Sequence, residues 1–183
     1  MEGWFFLSAA LLLVSGGAKL ADPAPTSGAL RVAGMVSDSG VVYTLAVAEI
    51  ATGAASLLGG GAWGGWAMAA LYGGFGVFVA FALRRRLPNL GEGPGALLPI
   101  SSCGCFGKAD TPPSLVHLFL NIACLGGGVW AAITSGPSLV SVLGDQPMAG
   151  LLYLGFLGAG TYAAYLLLTA LPVLLKPQMT GHR

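Results

Sequence analysis

The sequence predicts an all-α integral membrane protein, a bundle of about five spanning helices. Two observations carry this. The 183 residues are 55% hydrophobic and only 8% charged, with a mean hydropathy of +0.80. Soluble domains carry about 25% charged residues, so a water-facing surface is hard to build from this chain. The apolar residues also fall into five long segments, each near the roughly 20 residues that cross a bilayer core of about 30 Å. The partner that the composition demands is the lipid bilayer. A net charge of +1 says nothing about a nucleic-acid partner, and with no basic tract beside aromatics none is expected.

The first segment, Trp4–Leu20, has the length of a signal peptide. It carries Glu2 in place of a basic leader, and Lys19 where cleavage needs a small residue. A retained helix is expected. The stretch DPAPTSGALRVAGMVSDSG that follows is of moderate polarity. It reads either as a plain loop or as a short interfacial helix, capped by Thr26 or Ser27 with Leu30, Ala33 and Val36 on one face. Segments Val41–Leu58 and Trp66–Leu83 are separated by GGGAWGG, expected to be a tight turn with Trp63 and Trp66 in the headgroup zone. Leu115–Ile133 and Met148–Leu171 complete the set, and Pro172 ends the last. The small-residue pairs Ala69–Gly73, Gly76–Ala80 and Gly155–Ala159 are expected at helix crossings. With no internal repeat and no long linker, residues 1–183 are read as one domain.

Five spans sort the loops onto two sides. Lys19, Arg31, Arg84, Arg85, Arg86, Lys108, Lys176 and Arg183, every Lys and Arg in the chain, fall on one side. Glu2 and Asp145 are the charges on the other. The excess of Lys and Arg on cytoplasmic loops then predicts a cell-membrane protein with its N-terminus outside and its C-terminus in the cytoplasm. Residues 84–114 would face the cytoplasm too.

Within that connection lies ISSCGCFGKAD, residues 100–110, holding two of the three cysteines one residue apart. Three readings compete for Cys103 and Cys105. Gly104 between them leaves room for a small, strained disulfide ring, and a strained disulfide exchanges readily. Lys108 and the Arg84–Arg86 cluster would favour the reactive thiolate. Alternatively, two thiolates suit Cu(I) or half a zinc site. The further candidates Cys124, His117 and His182 are scattered, so no metal site is assigned. The third reading is a pair of structural loop cysteines. Cys124, about 14 Å along its helix, is expected to be a buried, inert thiol.

Ionisable groups inside spanning helices are costly and tend to be functional. Glu49 lies within the second segment. Lys19 ends the first, and His117 and Asn121 sit one turn apart at the start of the fourth. All are in the half of the bilayer nearest Cys103 and Cys105, which defines a supporting polar pocket. Its functional reading is a proton path that serves thiol oxidation. Its structural reading is a Lys19–Glu49 pair, with the lysine snorkelling toward the headgroups.

SGGAKLADP at 15–23, AEIATGAASLL at 48–58, SCGCFG at 102–107 and LVHLFLN at 115–121 together resemble the MauE/DoxX family of membrane proteins. The resemblance implies a four-helix core plus one helix, and work alongside a thioredoxin-like protein. Methylamine utilisation and, in other relatives, quinone-linked oxidation come with it, so a quinone is a possible cofactor. The family's motif falls on Cys103, Gly104, Cys105, Phe106 and Gly107, its lysine on Lys19 and its carboxylate on Glu49. The expected function is thiol–disulfide redox work in the membrane through Cys103 and Cys105. The alternative is a non-catalytic accessory subunit of a larger membrane complex.

Overall fold

The computed structural model describes residues 2–85, 111–145 and 147–171. Among these the chain is helical throughout, in seven elements: α1 (Glu2–Ala21), α2 (Ala24–Val32), α3 (Ser39–Gly59), α4 (Gly61–Arg84), α5 (Leu115–Thr134), α6 (Leu139–Asp145) and α7 (Pro147–Thr169). Five of them, α1, α3, α4, α5 and Met148–Thr169 of α7, are long and apolar enough to cross a membrane. In lipid, a helix satisfies every backbone N–H and C=O within its own segment, and these sequences are apolar on all sides. The protein is a multi-pass membrane bundle.

Two close helix pairs form the core. In the α4–α5 pair, a methyl group in place of the Gly65 hydrogen would lie 2.5 Å from the Ala132 nitrogen, and one on Gly128 would lie 2.9 Å from the Ala69 nitrogen. Gly65-x-x-x-Ala69 thus faces Gly128-x-x-x-Ala132, with backbone against backbone. In the α1–α3 pair, a methyl on Gly16 or Gly53 would meet the carbonyl oxygen of Ala46 or Ala9, each at 2.7 Å. Phe5, Phe6, Leu12, Met68 and Cys124 fill the space between the pairs. The Trp4 indole donates to the Ala123 carbonyl at 2.9 Å, and the Tyr72 hydroxyl donates to the Ser8 carbonyl at 2.7 Å. These bonds tie α1 to both helices of the other pair. Helix α7 packs mainly on α1 and is the least buried span.

The connections depart from the expected ones in three places. GGGAWGG is not a seven-residue turn. Helix α3 runs through Gly59 and α4 begins at Gly61, so the reversal is made at Gly60, whose φ of 59° suits glycine. A methyl there would strike Ser138, Gly136 and Pro137, and Gly64 and Gly65 are helical because α4 must lie close to its neighbours. Trp63 is highly exposed in the first turn of α4. Between α1 and α3, the short helix starts earlier than a Thr26 or Ser27 cap would place it, with Pro23 at its N-cap and Thr26 buried within it. Ala29 and Ala33 pack on Ala82, while Val36 is exposed. Arg85 closes the far end of α2 by donating to the Val32 carbonyl at 2.9 Å. Lastly, Gly155 and Ala159 are exposed on α7 and no crossing forms there, with open space around Gly155.

Candidate functional site

The site begins with a buried ion pair between α1 and α3. Lys19 Nζ lies 2.7 Å from Glu49 Oε1 and donates a hydrogen bond to Oε2 at 2.9 Å. The lysine is 2% exposed and the glutamate 0%. Snorkelling is therefore not what Lys19 does. Helical side chains lean toward the N-terminus of their helix, and Lys19 leans inward, donating also to the Ser15 hydroxyl one turn back at 2.6 Å. The Phe75 ring of α4 covers the ammonium, 5.3 Å from its centroid. The close approach at Gly16 and Gly53 allows this pair, since bulkier residues there would hold α1 and α3 apart.

A second cluster surrounds His117, which is 2% exposed at the start of α5. Its Nδ1 meets the Ser114 hydroxyl at 2.8 Å and its Nε2 meets Thr111 Oγ1 at 3.4 Å. The Thr111 hydroxyl donates to the Leu168 carbonyl at 2.8 Å, which ties this cluster to α7. Asn121 Nδ2 donates to the His117 carbonyl at 2.8 Å. A small cavity is lined by Ser15 on α1, Tyr72 and Phe75 on α4, and His117 and Asn121 on α5. The two clusters thus face one space.

Of the residues singled out in the sequence, Lys19 and Glu49 meet directly, and His117 and Asn121 meet each other. Cys103, Gly104, Cys105, Phe106, Gly107 and Lys108 lie outside the described residues. His182, Arg86, Lys176, Arg183 and Pro172 do too. Cys124 is a free thiol, fully buried in the core. Ser15, Tyr72, Thr111 and Ser114 were not singled out by sequence reasoning. For Ser15 there was a signal, because it precedes Lys19 by four residues and so shares its helix face. Among the described residues, no three His, Cys, Asp or Glu side chains gather to hold a metal. A larger cavity of about 250 Å³ lies beside the ion pair under α2, with Lys19, Thr26, Phe75 and Phe78 in its walls.

The family described as methylamine utilisation protein MauE matches residues 4–90. No curated protein and no solved structure matches the chain. The matched stretch holds nearly all of α1 through α4, with both members of the ion pair, and ends before Cys103. A helical membrane bundle, a match that runs from the first span to the end of the third, and a Lys19–Glu49 pair buried within that match make the stretch 4–90 of this chain similar to MauE.

Proposed function

We propose that the protein is a membrane thiol–disulfide protein, in which Cys103 and Cys105 exchange with a thioredoxin-like partner. One observation supports it above the others. The buried polar groups Lys19, Ser15 and His117, with Glu49 bonded to Lys19 from mid-helix, lie in the half of the bundle that holds Arg85 and Thr111, the described residues on either side of Cys103 and Cys105 in the sequence. A membrane protein holds ionisable groups in its core at a cost, and proton-coupled chemistry is a common reason. In the exchange, the partner's dithiol gives two electrons and two protons to the Cys103–Cys105 disulfide. The partner becomes a disulfide, and Cys103 and Cys105 become thiols that a final acceptor reoxidises. On the charge distribution, the exchange takes place on the cytoplasmic face of the cell membrane, with the N-terminus outside. The link to methylamine utilisation comes through the family match.

A quinone as final electron acceptor fits the residues beneath α2. Phe75 and Phe78 offer ring faces to a flat apolar head, and Thr26 offers a hydroxyl beside the lysine. A quinone there would take up two electrons and two protons.

The test is C103S/C105S in lipid nanodiscs with a reduced or oxidised thioredoxin-fold protein. The native chain should exchange disulfides with it, and a single Cys105→Ser change should trap a mixed disulfide. The double variant should assemble normally and show no exchange. Exchange at the native rate in the double variant overturns the thiol function and leaves the accessory subunit, a reading that the thinly packed α7 favours.

A further inference from the structure

Ser15, bonded to Lys19, lines a small cavity from α1, while His117 and Asn121 line it from α5 and Tyr72 from α4. Its volume is about 30 Å³, more than the roughly 10–15 Å³ that a buried water needs. Four polar side chains in the wall meet the other requirement, since such a water makes about two to four hydrogen bonds. His117 has reason to use it. Thr111 gives its single hydroxyl proton to the Leu168 carbonyl, so toward His117 Nε2 it acts as an acceptor. That contact, at 3.4 Å, is longer than the roughly 2.7–3.2 Å of an ordinary N–H···O bond. The Nε2 proton is poorly served by protein. The shorter contact at Nδ1 makes that nitrogen the acceptor of the Ser114 hydroxyl. Asn121 spends one amide proton on the His117 carbonyl and has its carboxamide oxygen left to accept.

We propose that this cavity holds water, and that the water joins His117 through Ser15 to the Lys19–Glu49 pair as a proton path across the bundle core. Its purpose rests on the thiol function above, in which the protons released by thiol oxidation are stored while electrons pass to the final acceptor. In one transfer, the Ser114 hydroxyl gives its proton to His117 Nδ1 and takes in its place one released by thiol oxidation, and His117 gives its Nε2 proton to the water. The water passes one of its own to Ser15, whose hydroxyl reaches the Glu49 carboxylate and hands its proton on. Each N–H or O–H bond that breaks is matched by one that forms, and no electrons move. The Glu49 carboxyl ends neutral, His117 ends as the other tautomer, and the Lys19 ammonium stays beside the Phe75 ring.

The test reads the path without reading activity. The chain has two histidines, so isotope-labelled histidine in nanodiscs gives two sets of ring signals, and His182→Gln assigns those of His117. Water should transfer magnetisation to the His117 ring in the native protein. Ser15→Val, which removes the hydroxyl and fills the space, should abolish that transfer. Asn121→Leu, at a half-buried position, should weaken it and serves as the variant if Ser15→Val does not fold. Glu49→Gln should shift the His117 ring signals in the native background and leave them unmoved in Ser15→Val or Asn121→Leu. A native His117 that receives nothing from water overturns the path. So does transfer unchanged in the cavity variants, or a Glu49→Gln change that His117 does not register. None of these results touches the thiol function, which C103S/C105S tests without reference to the cavity.

Discussion

Lys19 and Glu49 stabilise the bundle only as a pair. Removing one partner of a buried ion pair leaves an uncompensated charge and costs about 3–5 kcal/mol, whereas replacing both with apolar residues is often neutral. Glu49→Leu should therefore lower the unfolding midpoint in detergent sharply, and Lys19→Leu/Glu49→Leu should restore most of it. Equal loss in the single and double variants would contradict pairing as the source of stability. A double variant that folds well and lacks thiol exchange would assign the pair a chemical role as well. Both residues were legible in the sequence, because an ionisable group in an apolar segment stands out. Their contact was not, since the sequence gives depth along each helix and leaves rotation about the axis open. The rotation is set by Gly16 and Gly53, which read as two glycines among thirty. Thr111 and Ser114 escaped notice for another reason. Hydroxyl residues at helix starts usually cap their own backbone, and nothing in their spacing announces a histidine between them.

Among the elements, the α4–α5 crossing tolerates the least change. Gly65→Val or Gly128→Val would push its Cβ into the facing backbone, which no rotamer adjustment relieves. Each should cost about 1–3 kcal/mol or more, read as a lowered thermal midpoint in detergent. Gly155→Val on α7 meets open space and should leave the midpoint within the error of the measurement. A Gly128→Val protein as stable as the native one would remove the crossing from the account. The five spans were legible to within two residues except at the start of α4, which lies at Gly61 and not at Trp66, because a run of about 20 apolar residues has few other uses. The short elements were not. Helix α6 is seven residues long, too short for its periodicity to show. Helix α2 has nine, and it owes its place to Ala82 and Arg85, more than fifty positions away. Glycine-rich GGGAWGG looked like a turn because glycine serves both reversal and close packing, and only the neighbouring helix separates the two uses.

For the whole molecule, the charges make a claim about orientation. Arg31, Arg84 and Arg85 lie at one end of the bundle, Glu2 and Asp145 at the other. A membrane-impermeant thiol reagent added to intact cells should leave Cys103 and Cys105 unlabelled, and should label them in inverted vesicles. The buried Cys124 will not confuse the readout, since it is 0% exposed. Labelling in intact cells would reverse the assigned orientation. The Lys19–Glu49 contact also bears on how the protein is made. Thirty residues separate the two, so α1 has left the ribosome before Glu49 emerges. A charged side chain near the bilayer centre costs about 2.5–3.5 kcal/mol on translocon-based scales, and α3 carries its glutamate at mid-span. Arriving beside a helix that already offers an ammonium, α3 enters lipid with that cost largely offset. The first span is then an insertion aid for the second, encoded in the same chain and kept afterwards as part of the product.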